Sequence, residues 1–331
     1  YTTLFRSVHV NQNLTNISIA YMQSTADFVA MRAGHVVPVD KQSDLIPRFK
    51  KGAFHTDEMA VRGLGAESAG GGFEIDSGLT YTCLVRAFHA DIPDQTRANA
   101  DGVYNLDRAT TELCARKALI RNERMFATEF LASTSSWDVV RAGVASGAYT
   151  LNTNVIKWSD YTNSNPIADV SYYARKIQLA SGGFRPRHGV MGRSVWDTLK
   201  LHPDFIGLIS GGATTANPSI VELGLVARQF ELDSLLVMDG VYNTAAENTT
   251  VSNAFIGGDT FLLYYSPPSP SILTPSAFYG FGWMGMAGMN MGQRIKKFRM
   301  EAKAADRVEV EGAWAWKITG ADMAALMYDL I

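Results

Sequence analysis

The chain is 331 residues long (36.1 kDa), 47% hydrophobic and 19% charged, with a net charge of −2 and a pI near 6.3. That length holds one large domain or two modest ones with ample core, and the charge excludes a protein that grips nucleic acid through overall basicity. No apolar run approaches the roughly 20 residues of a membrane span, no segment reads as a signal peptide, and Cys83 and Cys114 form neither a disulfide framework nor a CxxC motif, so both are predicted to be buried thiols of a reducing compartment.

Residues 1–27 scatter Leu4, Phe5, Val8, Val10, Leu14, Ile17 and Ile19 among Asn, Gln, Thr and Ser without a sustained period. They are predicted to form an extended arm ordered by neighbouring subunits. The segment 28–39 is β-rich and leads into the most distinctive stretch, 45–94. That stretch reads as two strand-like arms joined by the glycine-rich tip GLGAESAGGG. On the return arm, strict alternation puts Leu79, Tyr81, Cys83, Val85 and Ala87 on one face and Thr80, Thr82, Leu84, Arg86 and Phe88 on the other. A two-stranded ribbon is marginal alone in water, and each arm could reach roughly 50 Å. Such a ribbon makes sense when another molecule covers it, which points to assembly.

The strongest helix prediction is 107–132, capped by Asp107, with Ala109, Leu113, Ile120, Ala127 and Leu131 on one stripe that Leu119, Phe126 and Phe130 widen. At about 39 Å it would serve as a spine under a sheet. Beyond a loop with Trp137 and Trp158, helix and strand patterns alternate. A helix starts near Pro166 and stops at Gly182 and Gly183, followed by the buried strand RHGVMG. A helix capped by Ser194 is stopped by Pro203, with His202 placed to bond a carbonyl at its end. ELGLVARQFEL is a short helix, SLLVMDG and AFIGGDTFLLYYS are strand-like, and PPSPSILTPS is an extended connector. In 293–331, Val308, Val310, Trp314 and Trp316 predict paired strands around a turn at Gly312.

The motifs that could bear chemistry fall short of it. Gly280, Gly282 and Gly285 match GxGxxG, but AGMNMG follows and cannot start the helix that would receive a pyrophosphate. Gly63 to Gly72 lacks the Lys-Ser/Thr pair of a P-loop. Met284, Met286, Met289 and Met291 read as packing contacts ahead of copper ligands. The six histidines never fall at metal-binding spacings, which argues against zinc. Ser194 is followed by Trp196 where a nucleophile elbow needs glycine, and Asp91 and Asp94 read as a turn. For the basic run Arg294, Lys296, Lys297, Arg299 and Lys303, phosphate contact is open, but salt bridges to a neighbouring subunit are favoured. No catalytic, cofactor-binding or metal residues are predicted.

Taken in order, DIPDQTRANAD leading into RATTELCARKALIRNERMFATEFL, then NPIADVSYYARKIQLASG, RHGVMGRSVWDTLKLHPDF, SLLVMDGVYNTA and FLLYYSPPSPSILTPSAFYGFGW resemble the major capsid proteins of tailed bacteriophages, the Hong Kong 97-like fold, over about residues 30–331. The resemblance implies an α+β chain with an N-terminal arm (1–27), an extended loop (45–91), a peripheral domain (28–44, 92–150 and 293–331) and an axial domain (151–292). It implies pentamers and hexamers that close an icosahedral shell around double-stranded DNA, with portal and scaffold or decoration proteins as partners and assembly in the host bacterial cytoplasm. An encapsulin-type shell shares the fold, and an α/β enzyme on 165–266 is the alternative of another class. Subunit contacts are predicted on the loop at Arg48, Phe49, Lys50, Lys51, Phe54, Arg62, Phe73, Glu74 and Ile75. Some relatives link a loop lysine covalently to a neighbour's asparagine. Here no lysine lies between Gly63 and Cys83, which predicts a shell held by non-covalent contacts.

Overall fold

The computed structural model describes residues 23–100, 105–209, 221–246, 249–270 and 274–331, so most of the predicted N-terminal arm lies outside the described residues. In chain order the elements begin with α1 (Ala30–Ala33), β1 (Val36–Val39), β2 (Ser43–Phe49), α2 (Gly52–His55), β3 (Ile75–Thr82), β4 (Leu84–Pro93), α3 (Asp94–Asn99) and α4 (Leu106–Phe130). There follow β5 (Val139–Val144), β6 (Val155–Ile156), α5 (Pro166–Ser181), β7 (His188–Gly192), α6 (Arg193–Leu199), α7 (Pro203–Ile209) and α8 (Leu223–Gln229). The last third holds β8 (Ser234–Met238), β9 (Val241–Asn243), β10 (Asn253–Phe255), β11 (Phe261–Tyr264), β12 (Phe278–Trp283), β13 (Gln293–Met300), β14 (Ala305–Ile318) and β15 (Ala324–Tyr328).

Two sheets organise these elements. In the five-stranded sheet, β14 is the long central strand, flanked by β4 on one side and by β13 and then β12 on the other, with β1 parallel to β12 at the edge. The six-stranded sheet runs β6-β5-β15-β11-β7-β8, and β9 and β10 form a small hairpin. β5 and β15 belong to the six-stranded sheet and β12 to the five-stranded one, through long-range pairings that leave no local signature in the sequence.

The spine helix α4 packs on β14, burying Cys114 and Ala118 with Ile92, Val308, Val310 and Trp314. Farther along, Phe126 meets Phe278 and Trp316 edge-on and Phe130 meets Trp316 edge-on and Phe278 at a tilt, in a core that also takes Leu262, Tyr264 and Leu326 from the six-stranded sheet. This shared core ties the sheets together. A separate core beneath the six-stranded sheet joins Trp158, Val170, Ile177, Leu199, Phe230 and Phe261.

Several local readings are corrected. Asn105, not Asp107, caps α4: its side chain accepts the Arg108 N–H at 3.0 Å, while Asp107 pairs with Lys297 at 2.8 Å. Leu113 is exposed, and the buried stripe runs through Cys114, Ala118, Asn122, Phe126 and Phe130 at every fourth position, with Glu123 beside it. The segment 28–39 holds α1 as well as a strand. α6 begins one residue before Ser194, without a side-chain cap, and Pro203 opens α7, where its missing N–H costs nothing. β14 runs unbroken through Gly312, because β13 and β4 pair it on both sides and the Trp314 ring fills the space a side chain there would take: a Cβ would lie 2.2 Å from it. α5 follows the reading, from Pro166 to a stop at Gly182 in the left-handed conformation, φ 82°. Both cysteines are free and buried.

Candidate assembly interface

The ribbon consists of β2 and β3, paired antiparallel from Ser43↔Thr82 to Phe49↔Ile75 with a register shift between Ile46 and Arg48. It is shorter than the sequence pattern implied. At Cys83, whose N–H donates to Gln42 O at 2.8 Å, the chain leaves the ribbon, and β4 becomes a ten-residue edge strand against β14. Alternation does not continue across that break. Tyr81 and Cys83 are buried, Val85 and Ala87 are exposed, and it is Ala90 and Ile92 that pack toward α4.

The root of the ribbon is anchored firmly. The Tyr81 ring stacks on Phe281 with centroids 4.5 Å apart, the Cys83 thiol donates to Phe281 O, and Trp283 Nε1 donates to Asp40 O at 2.9 Å. Burial pushes the Cys83 thiol up to about 11, which leaves it protonated and inert.

The far end is different. Phe49, Phe54 and Phe73 form an aromatic cluster with centroids 5.4 to 6.1 Å apart, yet Phe54 and Phe73 stay about 60% exposed, as does Ile75. Arg48 bonds Asp76 across the strands at 2.8 Å. Lys50 pairs with Glu74, raising the pKa of the amine and lowering that of the carboxyl through their hydrogen bond. The structure therefore gathers Arg48, Phe49, Lys50, Phe54, Phe73, Glu74 and Ile75 at one end of the ribbon. Arg62 stands apart, closing a turn on Ala66 O at 2.6 Å. Lys51 turns home: it donates to Ala180 O at 2.8 Å, at the carbonyl end of α5, and pairs with Asp322. His55 fills the same corner, where a Cβ on Gly182 would lie 2.1 Å from its ring.

The sequence reading missed the apolar residues of the tip. Met59, Val61 and Leu64 are fully exposed, with no cover from their own chain. Their presence in a segment otherwise rich in glycine and charge was the available signal. An uncovered apolar tip beyond an exposed aromatic cluster is a surface suited to a partner.

The basic run of β13, in contrast, is consumed within its own chain. Arg294 and Lys296 pair with Glu311, Lys297 with Asp107, Arg299 with Asp94 and Asp306, and Lys303 with Asp91, which Arg307 also clamps at 2.7 Å. Asp91 and Asp94 are thus partners of this ladder, and the bridges expected to a neighbouring subunit are intramolecular. The GxGxxG glycines lie on and just beyond β12, a packing site: a Cβ on Gly280 would lie 2.8 Å from the Trp316 ring.

Ser164, His202 and Asp204 come close enough to invite comparison with a nucleophilic triad. His202 is fully buried, with Nε2 3.0 Å from Ser164 Oγ. Its Nδ1, however, accepts the Asp204 backbone N–H at 3.2 Å, so the proton sits on Nε2 and donates to Ser164, whose hydroxyl donates to Asp160 O at 2.7 Å. Every proton points the wrong way for activating serine. The network instead fastens the start of α7, a role opposite in polarity to the carbonyl contact expected of His202.

No protein-family model matches the chain. In sequence it is similar to the major capsid protein of Burkholderia phage BcepMu, 24% identical over 264 residues that cover 78% of this chain and 76% of that protein. In structure it is similar to a phage-related protein from Bordetella bronchiseptica RB50, with TM-score 0.68, 19% identity and 94% of both chains covered. It is also similar to the capsid of cyanophage P-SCSP1u, with TM-score 0.59, 10% identity and 96% and 93% covered. This is the Hong Kong 97-like capsid fold. The capsid fold is shared with the SrpI encapsulin of Synechococcus elongatus, with TM-score 0.56, 12% identity and 96% and 94% covered. Within that fold α4 packs on the five-stranded sheet, and the ribbon carries a dense group of exposed apolar side chains.

Proposed function

We propose that this chain is the major capsid protein of a tailed bacteriophage, assembling into the pentamers and hexamers of an icosahedral shell that encloses double-stranded DNA. The observation that carries the reading is the ribbon: a firmly rooted hairpin whose far end exposes Phe54, Phe73, Ile75, Met59, Val61 and Leu64. Similarity to the BcepMu major capsid protein supports it.

In this reading the five-stranded sheet with α4 is the peripheral domain and the six-stranded sheet with α5 to α8 the axial domain. The ribbon, with Arg48, Phe49, Lys50, Lys51, Phe54, Arg62, Phe73, Glu74 and Ile75, lies across a neighbouring subunit. Its apolar groups leave water there at about 25 cal/mol per Å² before association costs. A contact from one patch to a different patch of the next copy repeats around a ring, and a ring that closes is a capsomer. Lys41 pairs with Asp44 at 3.0 Å and Lys50 with Glu74, so the ribbon grips by packing and pairing without a covalent link. The chain has a structural role and resides in the virion, assembled in the bacterial cytoplasm beside portal and scaffold or decoration proteins.

The likeness to an encapsulin favours one second reading, a shell around protein cargo. Particles from infected or induced cells, treated with nuclease, separate the two. Protected double-stranded DNA is expected; particles holding only protein would establish the encapsulin reading.

A further inference from the structure

We propose that the solvent face of α4, through Lys117, Arg121 and Arg124, docks the phosphate backbone of the enclosed double-stranded DNA. The inference rests on the shell reading and adds to it the surface that faces the nucleic acid.

The cations of α4 differ from those of β13. The chain as a whole carries −2, and the basic residues of β13 are neutralised by its own carboxylates. Between 116 and 124, however, Arg116, Lys117, Arg121 and Arg124 meet a single carboxylate, Glu123, which is buried and accepts the backbone N–H groups of Val29 and Ala30. Among the described residues none of these four cations has an ion-pair partner, whereas Arg108 and Lys317 at either end of the helix pair with Glu112 and Glu129. Lys117, Arg121 and Arg124 are exposed. At positions i, i+4 and i+7 they share one face. Like charges so spaced weaken a helix, so the placement works against folding and needs another explanation.

A second observation extends the positive field. Arg86 on β4 is half-buried, and its charged form is disfavoured first by burial and then by repulsion from Arg121. The Arg124 guanidinium lies over the Tyr242 ring, 4.4 Å from its centroid, which holds the end of the strip in place. Three cations over about 10 Å of helix match about three phosphates of one strand, which are spaced 3.4 Å apart along the duplex axis. Contacts from these cations to phosphates carry no sequence information, so binding is expected to be independent of sequence, as a packaged genome requires.

The test uses the full chain, held below its assembly concentration and titrated into a fluorescent duplex of mixed sequence across a salt series. Lys117→Gln with Arg121→Gln is expected to lower affinity about tenfold and to reduce the salt slope by about 1.8, the loss of two phosphate contacts. The charge-preserving pair Lys117→Arg and Arg121→Lys is expected to bind as the parent does. Arg299→Gln with Lys303→Gln, which removes the same charge elsewhere, is expected to change little. Equal binding by the first pair, or an equal loss from the last, would overturn the proposal. Electron microscopy of the parent chain reads the shell separately. Shells without strip-dependent duplex binding sink this proposal alone, and duplex binding without shells sinks the reading beneath it.

Discussion

Glu123 is a carboxylate at the heart of the packing between α1 and α4. Burial pushes its pKa up, while the N–H groups of Val29 and Ala30, at 2.9 and 2.7 Å, and the nearby Arg32 favour its charged form. It works as a cap supplied from another helix, fastening the chain at the start of α1. Glu123→Ala leaves two enclosed N–H groups without acceptors and is expected to cost about 3 kcal/mol; Glu123→Gln keeps one acceptor and is expected to cost about 1 kcal/mol. Denaturant unfolding of unassembled chain measures both, and a loss below 1 kcal/mol for the alanine variant would refute the capping role. Asp169 gives a pH-dependent case. Burial raises its pKa from 3.8 to about 6, partly offset by the hydrogen bond from Trp158 Nε1. Below pH 3.8 both folded and unfolded states are protonated and no penalty exists. As pH climbs toward 6 the unfolded chain releases the proton first, so the folded state loses stability, and above 6 the loss is constant. Asp169→Asn is therefore expected to stabilise the chain by about 3 kcal/mol at pH 7 and by almost nothing at pH 3.5. A gain that persists at low pH would show that the charge is not its source.

At the scale of elements the ribbon joins two opposite properties. Its root is locked by Tyr81 on Phe281 and by the buried Cys83, and its tip exposes Met59, Val61 and Leu64. Replacing these three with serine touches no contact within the chain, so stability of the unassembled protein should hold within about 0.5 kcal/mol. Assembly should weaken sharply, read as capsomers or subunits in place of particles on sedimentation. Normal particles from the triple variant would remove the tip from the interface. What could be read in the sequence follows the range of the forces involved. α5 was legible because Pro166 and Gly182 are local signals at its ends, and the ribbon because alternation needs only its own residues. Gly312 misled because the glycine that locally suggests a turn is there to admit the Trp314 ring, a fact fixed by strand partners far away in the chain. The basic run misled for the same reason: its carboxylate partners come from β4, α3, α4 and β14. The polar members of the α4 stripe, Asn122 and Glu123, escaped an apolar pattern because tertiary partners satisfy them, Trp316 Nε1 donating to Asn122 at 2.9 Å.

For the whole molecule, the last strand β15 carries the chain out of the five-stranded sheet and into the middle of the six-stranded one, between β5 and β11. The two sheets are thereby stitched by sequence as well as by the shared core of Phe130, Leu262, Phe278 and Leu326. The surface follows a division of labour. Charges along β13 are spent on pairs within the chain, the ribbon tip is left apolar, and the α4 strip is left positive. Electron microscopy of the purified full-length protein tests the central claim most directly. Closed icosahedral shells, with each ribbon density lying across an adjacent subunit, are the result this account predicts. A protein that remains monomeric or forms only small oligomers at assembly concentrations, or shells in which the ribbon folds back onto its own subunit, would contradict it.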